Sequence, residues 1–213
     1  MINTPRILLA DDHELVRRGL ISILSDSHPD WEIVAEASNG IEALELAEKH
    51  NPNVAIIDLS MPGHTGLEVT ESLMRSHPGI KVLILTMHAA EPVLKSVKRA
   101  GASAYMLKSE APTRLVRAVE SMLAGDPFFA SELAYRPASA TDPEEYIPVQ
   151  YLLTPREIEV LQHIANSRSN KQLAGDLNLS VRTAESHRAN ILEKLGVESV
   201  GDLVKIAVRD GLV

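Results

Sequence analysis

The chain has 213 residues, of which 45% are hydrophobic and none is cysteine. It is therefore too apolar for disorder and long enough for two packed cores, and it excludes disulfides and thiolate metal centres. The net charge of -8 is uneven: residues 1–150 hold 13 Lys and Arg against 21 Asp and Glu, whereas residues 151–213 hold 8 of each, so the acidity belongs to the first part. Only the apolar run 7–10 follows the opening residues before charge returns, so neither a secretory signal nor a membrane span is expected, and the chain is placed in the cytoplasm.

Up to about Gly125, short apolar runs alternate with amphipathic segments. The runs at 7–10, 32–37, 54–57, 82–85 and 104–107 are bounded by turn residues and predict five buried strands. Between them, Val16, Leu20 and Ile23 recur at helical spacing, and similar stripes lie within 41–47, 67–74, 93–97 and 115–122. Five strand-helix alternations with short connections imply right-handed crossovers and a doubly wound parallel sheet covered on both faces, the flavodoxin-like α/β class, over residues 1–125.

Residues 126–150 contain Pro127, Pro137, Pro143 and Pro148 and the polar stretch 139–145, which predicts a linker. Residues 151–213 then show helical periodicity only, predicting a smaller all-α domain. Thr154-Pro-Arg-Glu157 is a capped helix start followed by the stripe Ile158, Leu161, Ile164 and Ala165. A helix restarting at Ser169-Asn170 turns Leu173, Ala174 and Leu177 inward. After a tight turn at 178–180, a helix over 181–195 buries Val181, Ala184, Ile191, Leu192 and Leu195 and stops at Gly196. Two helices joined in this way form a helix-turn-helix. The last helix, roughly 199–209, carries Val200, Leu203, Val204 and Ala207 as a stripe that completes the core or pairs two copies.

Open parallel sheets place their site beyond the carboxyl ends of the strands, where strand order reverses. Asp11 and Asp12 follow the first strand and Asp58 the third, so three acids distant in sequence converge there. Their mutual repulsion is relieved by a hard divalent cation, and Mg²⁺ suits a few carboxylate oxygens together with a phosphate. Thr86 ends the fourth strand with a hydroxyl, and Lys108 follows the fifth with an ammonium. These parts suit attack by an Asp carboxylate on a phosphoryl group whose oxygens the cation and lysine neutralise.

In the second domain, Arg182, Ser186, Ala189, Asn190 and Glu193 lie opposite the apolar stripe, with Thr183 and Glu185 at its margins. Small and polar side chains there suit a DNA groove, while Lys171, Arg182 and His187 flank it within reach of phosphates. The stem of Arg188 is expected to pack and its head to reach out. Glu185 suits either a cytosine amino group or an ion pair with Arg182.

The motifs Asp11-Asp12, Asp58-Leu59-Ser60-Met61-Pro62, Thr86 and Tyr105-Met-Leu-Lys108 resemble the receiver domain of bacterial two-component response regulators. Leu153-Thr-Pro-Arg-Glu-Ile-Glu-Val-Leu161, Ser169-Asn-Lys-Gln-Leu-Ala174 and the stretch 179–196 resemble the LuxR-type DNA-binding domain, and together they resemble the NarL/FixJ family. The resemblance implies that Asp58 accepts the phosphoryl group and that Asp12 and Asp58 bind Mg²⁺ with the Ser60 carbonyl, Asp11 assisting through water. It further implies Thr86 and Tyr105 as a switch pair, with Lys108 stabilising the phosphoryl group. The implied partners are a sensor histidine kinase, promoter DNA, RNA polymerase and a second copy of the chain on DNA. Met87, where receivers often have a small residue, together with His88 and Ser60, flanks the site. Ser167-Arg168 and Ala184 depart from the LuxR-type pattern.

Two alternatives stand beside a phosphorylated DNA-binding regulator without enzymatic turnover. One is a phosphorylation-independent transcription factor with a degenerate receiver. The other is a Mg²⁺-dependent aspartyl-phosphate hydrolase, although Asp58-Leu-Ser60 lacks the second acid of an Asp-x-Asp motif. A nicotinamide enzyme is disfavoured because no Gly-x-Gly-x-x-Gly follows the first strand.

Overall fold

A computed structural model describes residues 4–87, 91–129, 148–166 and 169–213. The chain divides into two compact units, Met1–Tyr146 and Ile147–Val213.

The first unit is a parallel sheet in the order β2-β1-β3-β4-β5-β6. Its strands are β1 (Arg6–Ala10), β2 (Glu32–Ala37), β3 (Val54–Asp58), β4 (Lys81–Thr86), β5 (Ala104–Leu107) and β6 (Phe128–Phe129). Its helices are α1 (Glu14–Ser27), α2 (Gly40–His50), α3 (Gly66–Ser76), α4 (Glu91–Arg99) and α5 (Ala111–Ala124). Every residue of β3 is buried, as a central strand covered on both faces requires. Ile7 and Leu9 of β1 pack with Leu20 and Leu24 of α1 and with Leu115, Val119 and Met122 of α5, forming the core on one face.

The doubly wound sheet stands as expected, but with six strands rather than five. Phe128 and Phe129 pair in parallel with Ala104 and Tyr105 of β5. Phe128 packs against the core, and the Lys98 ammonium lies 4.6 Å from the centroid of the Phe129 ring. A two-residue strand beside Pro127 is too short to show alternation, so the pattern places these residues in the linker.

The strand order reverses between β1 and β3, and local chemistry fixes the loops there. Asn39 caps α2 by accepting from the Glu42 N–H at 2.9 Å, and Asn51 ends that helix with φ 46°. Thr65 and Glu68 form a capping box at the start of α3. The Gly66 N–H donates to the Leu59 carbonyl at 2.8 Å, drawing the loop after β3 onto the helix start. A Cβ at Gly66 would press on the Asp58 carbonyl and lie 2.8 Å from Leu59 Cα, so only glycine permits this approach.

In the second unit, α6 (Pro155–Ala165), α7 (Asn170–Asp176), α8 (Val181–Leu195) and α9 (Val200–Arg209) enclose a core of Leu153, Val160, Leu161, Ile164, Leu173, Ala174, Ala184, Ile191, Leu203 and Ala207. Ala184 is thus a core residue. Each helix has a side-chain N-cap, from Thr154, Ser169, Ser180 and Ser199 respectively. Gly196 ends α8 in the left-handed region with φ 64°. Val181 corrects the expected pattern: it shares the apolar angle of α8 but is 44% exposed, and Leu192 and Leu195 of the same stripe are half-buried.

Of the expected linker, residues 130–147 lie outside the described residues, as do His88 and Ser167-Arg168. At its far end, Val149 is buried in the second core and its N–H donates to Asp210 at 2.8 Å.

Gly66→Ala is expected to destabilise the first unit by about 1–3 kcal/mol through overpacking against the β3 end. Urea unfolding followed by circular dichroism checks this, and an unchanged midpoint would contradict the close approach.

Candidate functional site

The carboxyl ends of β1, β3, β4 and β5 open on one side of the first unit, and four sequence-predicted side chains arrive there from different strands. Asp11 follows β1 and is fully buried, its N–H donating to the Ala37 carbonyl of β2 at 3.1 Å. Asp58 is the last residue of β3 and is 3% exposed. Lys108 reaches in after β5, its Nζ 2.7 Å from Asp11 Oδ2 and 2.9 Å from Asp58 Oδ2. Thr86, at the end of β4, is buried. Asp12 is half-buried beside Asp11, and ligand atoms of Asp11, Asp12, His13 and Asp58 all lie within 4.8 Å of one another.

Burial drives the electrostatics of this cluster. Burial raises the Asp58 pKa more than the Lys108 charge lowers it; the Asp11 charge adds to the rise and a hydrogen bond from the Ser60 backbone opposes it, and the net position is about 6, up from the ordinary 3.8. Burial alone would lower the Lys108 pKa, but the Asp58 and Asp11 carboxylates outweigh it, and the net direction is upward. One ammonium thus faces three carboxylates. Asp11 Oδ2 and Asp12 Oδ1 are buried without a hydrogen bond of good geometry, with the Lys108 ammonium and the His13 ring as their ion-pair neighbours. Three clustered carboxylates with surplus negative charge, the His13 imidazole at their edge, fit a hard divalent cation held by oxygen.

Tyr105 lies one layer deeper, fully buried on β5 between Ile84 of β4 and Phe129 of β6. Met87 follows Thr86 and is 67% exposed at the rim of this strand end.

Two residues of this neighbourhood are absent from the strand-end pattern. The His13 N–H donates to Asp11 Oδ1 at 2.9 Å, and its Nδ1 lies 2.6 Å from Asp12 Oδ1. Adjacency to the acid pair was the available signal. Arg17 donates from Nη1 to the Asp11 carbonyl at 2.8 Å, a backbone contact for which spacing gives no signal.

In the second unit, Ser180 starts α8 by accepting from the Thr183 N–H at 3.0 Å, after a turn in which Asn178 has φ 54°. The α8 side chains Arg182, Thr183, Glu185, Ser186, Ala189 and Asn190 are exposed, His187 is half-buried, and Lys171 is exposed on α7. Arg182 and Glu185 form no ion pair with each other among the described residues. Arg188 is half-buried and its Nη1 donates to Asn170 Oδ1 at 3.1 Å, which ties α8 to α7. Glu157, buried in the α6 capping box, accepts from Lys194 Nζ at 3.1 Å and so ties α6 to α8. The exposed face of α8 is therefore rigidly presented from behind.

Comparison with known proteins matches both units. Residues 7–120 match the response regulator receiver domain and residues 151–207 the bacterial regulatory proteins of the luxR family. The chain is 36% identical over 213 residues to the response regulator UvrY of Escherichia coli strain K12, covering 100% of this chain and 96% of the relative. It is similar to the crystal structure of the response regulator ChrA of a heme-sensing two-component system, with TM-score 0.51 and 33% identity over 99% of each chain. It is also similar to RcsB in a structure of two RcsB dimers bound to two parallel DNAs, with TM-score 0.56 and 27% identity over 97% of this chain and 98% of that one.

The raised Asp58 pKa has a stability consequence. Its folded value of about 6 exceeds the ordinary 3.8, so the native state holds a proton that the unfolded chain has released. That contribution is complete below pH 3.8 and is lost as pH rises through about 6. In Mg²⁺-free buffer, Asp58→Asn is therefore expected to stabilise the protein at pH 7.5 by at most about 3 kcal/mol, with the gain vanishing near pH 4. Thermal unfolding across that range checks the sign; destabilisation at pH 7.5 would contradict it.

Proposed function

The chain belongs to the NarL/FixJ family of response regulators, and on that premise we propose that it takes a phosphoryl group on Asp58 and converts it into altered binding of promoter DNA by α8. The observation that carries this reading is Lys108 set between Asp11 and Asp58, at 2.7 Å and 2.9 Å, at the strand ends where the sheet order reverses. The receiver spans residues 1–125, a linker 126–150 and the DNA reader 151–213, with Phe128, Phe129 and Val149 tying the linker to its neighbours.

In this reading the donor is a sensor histidine kinase. An Asp58 carboxylate oxygen attacks phosphorus, the bond from phosphorus to the donor's leaving atom breaks, and an aspartyl phosphate results. Asp11, Asp12 and Asp58, with the Ser60 carbonyl, would hold Mg²⁺, which supplies neutralisation of phosphoryl oxygens when bound. Lys108 supplies a second, fixed positive charge beside buried carboxylates, where solvent screens it little. Thr86 offers its hydroxyl to the phosphoryl group. Tyr105 links this event to the β4-β5-β6 side of the sheet, since it pairs with Ile84 and Phe129. Asp58 has no second acid two residues on to act on a leaving group, which favours a stored phosphoryl group over turnover by a hydrolase.

On the DNA side, the exposed Ser186, Ala189 and Asn190 face of α8 enters the major groove, with Thr183 and Glu185 at its edge. Arg182, His187 and Lys171 contact phosphates. A homodimer on DNA, as RcsB adopts in its DNA-bound structure, places two such helices on paired half-sites. RNA polymerase is the partner at the promoter. Among the described residues no helix is long and apolar enough to cross a membrane, and the reading places the protein in the cytoplasm with its DNA.

Promoter fragments recovered by genomic selection provide the test. Incubation with acetyl phosphate and Mg²⁺ is expected to change DNA affinity, and equal affinity with and without the donor would overturn the reading. Lys171→Ala is expected to weaken binding across sequences and to lower the salt slope by about 1. An unchanged slope would remove Lys171 from the phosphate contacts.

A further inference from the structure

We propose that Arg17 is a positioning residue for the cation pocket: its guanidinium fixes the peptide joining Asp11 to Asp12 and thereby aims the Asp12 carboxylate. This inference rests on the reading above that the pocket holds Mg²⁺.

Arg17 lies on α1 with its side chain only 15% exposed. Its Nη1 donates to the Asp11 carbonyl at 2.8 Å, and its Nε donates to Glu36 Oε2 on β2 at 3.1 Å. The next residue of β2, Ala37, accepts the Asp11 N–H at 3.1 Å. Strand β2 therefore holds Asp11 twice, directly through the ladder and indirectly through Glu36 and Arg17. The Asp11 side chain is held as well, its Oδ1 accepting from the His13 N–H at 2.9 Å and its Oδ2 lying 2.7 Å from Lys108.

The Asp11 carbonyl is the lever in this arrangement. It shares a rigid plane with the Asp12 N–H, so rotating that plane carries Asp12 Cα and its carboxylate with it. Asp12 is the half-buried member of the acid group and sits at the turn into α1, beyond the last strand pairing of β1 with β2 at Ala10 and Ala37. The guanidinium contact replaces the ladder at the point where the ladder ends. Arginine suits the task because it cannot deprotonate and its planar fork serves two acceptors at once, which an ammonium on a lysine stem does not reproduce.

The sign of the effect separates positioning from plain electrostatics. A fixed positive charge close to a cation pocket repels the cation, so if Arg17 acted by charge alone its removal would tighten Mg²⁺ binding. Positioning predicts the opposite, and loss of a partner that orients a metal ligand typically costs about 10–100-fold in affinity.

The test is calorimetric titration of the full chain with MgCl₂. Arg17→Met, which keeps an apolar stem, is expected to weaken Mg²⁺ binding about 10-fold or more, and Arg17→Lys to recover only part of the loss. Glu36→Gln is expected to weaken binding less, and the Arg17→Met, Glu36→Gln double variant to bind no worse than Arg17→Met alone. Equal or tighter binding by Arg17→Met overturns the proposal, as does a lowered melting temperature with wild-type Mg²⁺ affinity. Should Arg17→Met fail to fold, Glu36→Gln decides, and wild-type affinity in that variant overturns the proposal. A wild-type chain that binds no Mg²⁺ would instead strike the reading on which the proposal rests.

Discussion

A buried ammonium shared by two buried carboxylates is the constraint around which the first unit is organised. Isolating such charges from water costs several kcal/mol per ion, a cost offset only when partners sit at close range in fixed geometry. Lys108 meets that requirement with contacts of 2.7 Å and 2.9 Å to acids on two other strands. The arrangement is incomplete by design of charge: Asp12 adds a third carboxylate, and the upward displacement of the Asp58 pKa shows that one ammonium does not fully compensate. A site left short of positive charge is suited to a hard cation and, through it, to the oxygens of a phosphoryl group.

The fold creates this tension with ordinary means. Parallel strands point their carboxyl ends the same way, so residues 11, 58, 86 and 108 meet without any local sequence relationship. Close approach of Gly66 to the backbone of Asp58 and Leu59, the Thr65 capping box and the Gly40 N–H donating to Pro62 at 3.0 Å then fix the loop after β3. Tyr105 lies on the same sheet, its backbone paired with Ile84 of β4 and Phe129 of β6. In the second unit, capping at every helix start and the Lys194 and Arg188 ties hold α8 from behind.

The strand ends were legible because each joins an apolar run to one or more polar residues, a pattern that survives without knowledge of packing. The helix-turn-helix was legible for a similar reason, its Thr154 box and Gly196 stop being local signals. Strand β6 was not, since two residues carry no period and Pro127 argues for a loop. The exposure of Val181 was not legible, because a helical wheel gives an angle and not which positions along the helix are covered. Arg17 escaped because its partner is a carbonyl, which every residue has, and only the fold selects the one at Asp11. Val149 fell in the expected linker, yet its side chain is buried in the second core and its N–H meets Asp210, whose carboxyl burial pushes up in pKa. Such ties depend on residues far apart in the chain.

On the proposed reading, folding makes Asp58 the carboxylate that receives a phosphoryl group. Peptide mapping by mass spectrometry after borohydride trapping of protein treated with acetyl phosphate addresses it directly. Modification is expected at Asp58 alone and is lost when Mg²⁺ is chelated. Labelling at another acid, or none under conditions where Mg²⁺ is bound, would contradict it.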